Sequence, residues 1–122
     1  LFMTETAQYA DVILPGVSYA EKEGTFSNTE RRVQRVRKAV ELDGEMRLDT
    51  DIFTDIMNRM GYPQPHLTSA EIMDEIASVT PSFAGISHER LDKEGGIQWP
   101  CTSKDHPGTP IIYKRIRLVL SS

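Results

Sequence analysis

Residues 10–34 read ADVILPGVSYAEKEGTFSNTERRVQ, and three changes of character divide them. The apolar run Val12-Ile13-Leu14 stops at Pro15-Gly16, which does not continue a sheet ladder in ordinary geometry. A polar turn follows at Glu21-Lys22-Glu23-Gly24. Residues 25–34, Thr-Phe-Ser-Asn-Thr-Glu-Arg-Arg-Val-Gln, have no simple periodicity. Residues 10–14 read as a short strand buried on both faces. Upstream, Leu1-Phe2-Met3 reads as the end of another strand. Residues 4–9 read as a short helical turn that Thr4 caps. Strand, short helix and strand in such close succession suggest the edge of an α/β sheet. The loops at strand C-terminal ends are where such sheets bind nucleotides. Thr4 and Pro15-Gly16 both stand at such ends, with plain turn chemistry as the competing reading.

Downstream, five of the eight residues from Arg31 to Lys38 are basic. Val33, Val36 and Val40 fall at helical spacing, and periodicity alone predicts an amphipathic helix there. The basic side chains form either a solvated face or a surface for phosphates or acidic partner domains. A polar linker around Gly44 leads to a helix that starts at Asp49-Thr50-Asp51. Ile52, Phe53, Ile56, Met57 and Met60 make its apolar stripe, Gly61 stops it and Pro63 closes it. Thr68-Ser69-Ala70-Glu71 is a capping box for a second helix, which carries Ile72, Met73, Ile76 and Ala77 on one face and ends at Thr80-Pro81. Residues 87–93 form a short third helix, and residues 95–101 a turn and a short extended piece.

The chain has 122 residues, 39% hydrophobic and 26% charged, which sets a limit of one domain and suits an ordinary soluble composition. A net charge of -4 argues against a nucleic-acid-binding surface. No run approaches the roughly 20 apolar residues of a membrane helix, and no signal-peptide pattern opens the chain. The first residue is Leu1, so the start reads as a cut or processed end.

Cys101 is the only cysteine, so the chain alone builds neither a disulfide nor a multi-cysteine cluster. It reads as a buried or half-buried thiol, against the sharper alternative of a catalytic, metal-bound thiol. His66, His88 and His106 stand in three separate places without metal-ligand spacing and read as solvated or locally bonded. Glu21 and Glu23, beside Lys22 and Gly24, read as solvated rather than as a catalytic pair.

The string from ADVILP to E-x-x-G-T-F-x-N-x-E-R-R-x-Q resembles the molybdopterin oxidoreductases, the dimethyl sulfoxide reductase family, and within it the formate dehydrogenase catalytic subunits. Ile97-Gln98-Trp99-Pro100-Cys101 and Pro107-Gly108-Thr109-Pro110 are similar to strings of those subunits as well. The resemblance covers residues 1–110, read as a partial molybdopterin oxidoreductase domain. Residues 111–122 depart from it and read as a divergent C-terminal tail.

The resemblance implies an α/β fold, a partial Rossmann-like three-layer domain with two or three helices and short strands. It replaces the helix at residues 31–40 by a ribbon whose arms meet near residues 28–31. It implies a parent enzyme that interconverts formate and carbon dioxide at molybdenum or tungsten held by bis-molybdopterin guanine dinucleotide. Iron–sulfur clusters of that parent carry the electrons away. The metal-ligating residue belongs to an earlier domain, so neither Cys101 nor any other residue here is expected to be catalytic or to bind metal, and the piece alone is expected to hold no cofactor and to be inactive.

In the formate dehydrogenases that the chain resembles, an Asp at the start of the helix ending in R-M-G-Y-P contacts the guanine end of the dinucleotide, and the register of Arg59-Met60-Gly61-Tyr62-Pro63 implies that role for Asp49. The competing reading makes Asp49 a helix N-cap. Gly16 is the second cofactor-binding candidate, through close backbone approach, and Thr4 the third. Partners are the remaining domains or subunits of the parent, with self-association through an exposed sheet edge. The expected location is the prokaryotic cytoplasm, a periplasmic parent being the alternative. Other family oxidoreductases such as nitrate reductase, the large iron–sulfur subunit of respiratory complex I, and a stand-alone interaction module are the alternative readings.

Overall fold

The computed structural model describes residues 3–41 and 44–112, and in it the basic segment is a ribbon, not a helix. Strand β1 (Gly24–Ser27) pairs antiparallel with β2 (Arg32–Val36), Gly24 opposite Val36 and Ser27 opposite Val33. Asn28 makes the turn. Its side-chain oxygen accepts the N–H groups of Glu30 at 3.0 Å and Arg32 at 2.9 Å, and its own N–H donates to the Arg32 carbonyl. Arg31 takes a left-handed conformation, φ 64°. Helical spacing of the valines misleads because only Val33 of the three is buried. A β-branched residue on a pleated, half-buried surface satisfies that requirement as a strand.

Strand β3 (Ile97–Gln98) joins the other edge of β2, with Val33 opposite Ile97, to give a three-stranded antiparallel sheet. Among the described residues three α-helices accompany it: α1 (Asp49–Arg59), α2 (Ser69–Val79) and α3 (His88–Glu94). Helix α2 opens with the complete capping box. The Thr68 hydroxyl accepts from the Glu71 N–H, and the Glu71 carboxylate accepts from the Thr68 N–H at 2.8 Å. Ser87 caps α3 through Arg90 N–H.

The core lies between the sheet, α2 and α3. Val33, Met73, Ile86, Leu91, Ile97 and Cys101 are buried together, with Ala77, Phe83 and Trp99 packed against them. Val33, Met73, Ile86, Leu91 and Ile97 each contribute about 1.5–3 kcal/mol by leaving water. Cys101 is the buried thiol expected from its type. Gly85 is obligatory beside it, because a Cβ there would lie 2.0 Å from the Ser103 carbonyl oxygen. Arg90 ties the same corner, donating to the carbonyls of Gly85 at 2.9 Å and His106 at 2.7 Å.

Three expectations are corrected. Residues 10–14 are not a buried strand: Val12, Ile13 and Leu14 are 74%, 48% and 53% exposed. A strand needs a ladder neighbour, and the sheet-type contact of this region among the described residues is a single parallel bridge, Gly16 with Arg47. Helix α1 forms where expected, but none of its residues is buried, and Phe53 and Met60 are 65% and 70% exposed. Met3 is likewise exposed and outside any strand. Leu1, Phe2 and most of the tail, residues 113–122, lie outside the described residues.

Candidate cofactor-binding site

The loop from Pro15 to Glu23 is held at both ends by main-chain bonds. The Pro15 carbonyl accepts the Arg47 N–H at 3.1 Å, just before α1. The Ala20 carbonyl accepts the N–H groups of Ala39 and Val40, just after β2. Between these anchors Val17 is buried. Glu21 folds back on Ser18, accepting its N–H and hydroxyl, both at 2.8 Å. Those bonds hold the Glu21 carboxyl below the usual range. The result is a braced loop that presents Gly16 on one side and Lys22 on the other.

Asp49 meets both. Its Oδ2 lies 2.8 Å from Lys22 Nζ, and a Cβ on Gly16 would stand 2.7 Å from its Oδ1. The structure therefore brings two of the three candidate residues, Gly16 and Asp49, into one place. The cap reading of Asp49 is corrected: Leu48 is the N-cap residue and Asp49 is the first residue of α1, its carboxylate engaged by Lys22. Asp49 and Asp51 in the first turn still favour the helix dipole. Thr4 stays local. Its hydroxyl accepts the Ala7 N–H at 3.3 Å, but the N-cap of the 3-10 turn Thr6–Tyr9 is Glu5, so the cap position read from the sequence is off by one residue.

Asp49 and Lys22 face a cleft of about 250 Å³ between the loop, the start of α1 and the start of α2. Thr50, Thr68 and Ser69 supply hydroxyls, Glu23 a second carboxylate, and Leu48, Leu67 and Ile72 apolar walls. Charged groups, hydroxyls and an apolar wall in one concave place suit a polar heterocycle. Lys22 was not legible as part of a site. It stands in an acidic, turn-like string, and its partner is 27 positions away.

The basic ribbon, by contrast, is satisfied internally. Arg31 donates to the carbonyls of Thr109 and Pro110, at 3.1 and 3.2 Å, and to that of Trp99. Arg32 reaches the Gly96 carbonyl, while Arg35 and Arg37 share Asp92 at 3.3 and 2.9 Å. Lys38 pairs with Glu41 at 2.7 Å. Arg31 and Arg32 tie the hairpin to the segment that follows α3, and Arg35 and Arg37 tie it to α3 itself.

Of the histidines expected to be solvated or locally bonded, His106 is bonded two residues away, whereas His66 and His88 pair with residues distant in sequence and His88 is buried. His66 lies 3.2 Å from both Asp51 and Asp55, and His106 accepts the Gly108 N–H. His88 is buried, with Nε2 2.8 Å from the Thr25 hydroxyl and the Arg35 guanidinium against its ring. Burial, and after it the Arg35 charge, push its pKa down.

This arrangement of loop, ribbon and α1 falls within a recognised family. The family model for molybdopterin oxidoreductases matches residues 1–59, which contain Thr4, Gly16, Lys22 and Asp49, and the chain belongs to that family. The similarity continues beyond residue 59. The chain is 50% identical over 115 residues to the alpha subunit of an F420-dependent formate dehydrogenase 1 of Methanococcus maripaludis. It is 48% identical over 116 residues to the alpha subunit of formate dehydrogenase 2 of that organism, and 47% identical over 116 residues to the corresponding subunit of Methanocaldococcus jannaschii. Each match covers 93% of this chain but 17% of the relative, so the chain corresponds to one segment of such a subunit. Among the described residues, no helix is long and apolar enough to cross a membrane.

Proposed function

We propose that the chain is the segment of a formate dehydrogenase alpha subunit that helps hold molybdopterin guanine dinucleotide through Asp49. The observation that carries this is the placement of the Asp49 carboxylate: it is half exposed, on a cleft, at the first residue of a helix, beside a glycine whose side a Cβ would fill. A carboxylate accepts the N1–H and exocyclic amino group of guanine as a matched pair, with each bond charge-assisted. Gly16 allows close backbone approach, and Thr4 is the third and most peripheral contact.

When bound, the cofactor supplies the molybdenum or tungsten at which formate is oxidised. This chain's part is to bind and orient the nucleotide end. Iron–sulfur clusters belong to other segments, since a cluster takes several cysteines and the chain has one.

In the complete subunit, residues 1–110 are part of a Rossmann-like three-layer domain and residues 111–122 a divergent tail. The exposed Val12, Ile13 and Leu14 and the parallel Gly16–Arg47 bridge support a sheet layer there that other segments complete. The exposed stripe of α1 supports contact with the rest of the subunit. The proposed compartment is the prokaryotic cytoplasm.

Formate-dependent dye reduction tests this reading. The complete subunit with its cofactor reduces the dye with formate, and the 122-residue chain alone gives the rate of a boiled control. A complete subunit that ignores formate, or a chain that reduces dye alone, contradicts it.

A further inference from the structure

We infer that Lys22 is a positioning residue for the Asp49 carboxylate, fixing the orientation in which it reads a guanine base; this rests on the cofactor reading above. A carboxylate accepts two parallel N–H groups only when its plane is aligned with them. Asp49 sits at the first position of a helix, half exposed, where a short side chain turns freely unless something holds it. Two neighbours hold it. Gly16 leaves a slot that Oδ1 fills, and Lys22 Nζ binds Oδ2 at 2.8 Å.

The ammonium arrives from a fixed base. Lys22 is 28% exposed and follows a turn closed by Ser18 and Glu21 and anchored on Ala39 and Val40. Among the described residues lining the cleft, Lys22 is the one cation, facing the two carboxylates of Glu23 and Asp49. The nearby ribbon arginines are engaged with carbonyls and Asp92 and do not substitute for it. An oxygen bound to one ammonium keeps lone-pair capacity for a second donor, so the pair orients Asp49 without consuming it.

The test is a titration of the isotopically labelled 122-residue chain with guanosine monophosphate and with inosine monophosphate, which lacks the exocyclic amine. The amide signals of Gly16 and Asp49 are followed by NMR. The wild-type chain prefers guanosine monophosphate about tenfold, the scale of one hydrogen bond to a charged group. Lys22→Met narrows the preference to about twofold or less, and Lys22→Arg keeps it, as alignment by a cation requires. Should the Met variant disturb the β1–β2 amides, Lys22→Gln carries the same expectation. A Lys22→Met chain that keeps the full preference while Asp49→Asn loses it overturns the role of Lys22 and leaves the Asp49 reading standing. An Asp49→Asn chain that keeps the preference, or a wild-type chain that has none, overturns both.

Discussion

Lys22 and Asp49, 27 positions apart, meet with Nζ 2.8 Å from Oδ2, and the other carboxylate oxygen occupies the space where Gly16 lacks a side chain. The contact links the loop before the ribbon to the first residue of α1. As a half-buried ion pair still in contact with solvent it is worth about 1 kcal/mol or less to folding. Its larger consequence is geometric, because it places a carboxylate on the cleft in one orientation.

Gly16→Ala separates those two effects. The new Cβ would meet Asp49 Oδ1 at 2.7 Å, and the atom that must give way is the end of a side chain rather than backbone. Urea denaturation of the chain is expected to shift by about 1 kcal/mol or less. Guanine nucleotide retained by the complete subunit is expected to fall about fivefold or more, the scale of a lost charge-assisted bond. A stability loss of several kcal/mol with full retention would mean that the glycine serves packing instead.

His88 gives the chain a dependence on mildly acidic pH. Its folded pKa lies below its unfolded value, through burial first and Arg35 second, opposed by Asp92, Glu23 and Asp74. In the window beneath the unfolded value of about 6.5, the unfolded chain takes up a proton that the folded chain does not. Stability is therefore complete above that pH and is lost as pH falls through it towards the folded pKa. The carboxyls of Glu21, Asp55, Glu71 and Glu94, all held low, act in a separate window beneath about 4.5. Thermal melts between pH 7.5 and 5 should show a falling midpoint, and His88→Gln should flatten that segment. A wild-type midpoint that stays level or rises on acidification contradicts the assignment.

Val12, Ile13 and Leu14, and Phe53, Met57 and Met60 of α1, are exposed in the chain on its own. Surfaces of this kind seek cover. Sedimentation is expected to show a mass that grows with concentration, and Phe53→Lys with Met60→Lys should return the chain to monomer. A wild-type chain that stays strictly monomeric at high concentration would place the self-association in doubt.

The sequence was legible where structure is local. The capping box at Thr68 and Glu71 and the stop at Gly61 depend on neighbours a few residues away, and both helices run close to where those signals put them. The hairpin was legible through the resemblance, against a helical spacing of valines that tertiary pairing with β3 overrides. What could not be read depends on distant partners. The run at Val12 has strand character but lacks a ladder neighbour among the described residues. The stripe of α1 has core character, yet none of it is buried. Arg35 and Arg37 read as a solvated or phosphate-binding face, whereas their partner Asp92 lies more than fifty positions on. In the site, Gly16 and Asp49 were legible as separate candidates. Their contact, and the part of Lys22 in it, needed the fold.

Whether Asp49 binds the guanine end of the cofactor is read from the nucleotide content of the complete subunit carrying Asp49→Asn. The variant keeps the size of the side chain but removes its charge and one acceptor oxygen. The nucleotide released on denaturation is quantified by chromatography beside a thermal melt of the cofactor-free protein. Guanine content is expected to fall about tenfold or more, with a melt within a few degrees of wild type. Full guanine content in the Asn variant would contradict it and leave Asp49 as the ion-pair partner of Lys22 alone.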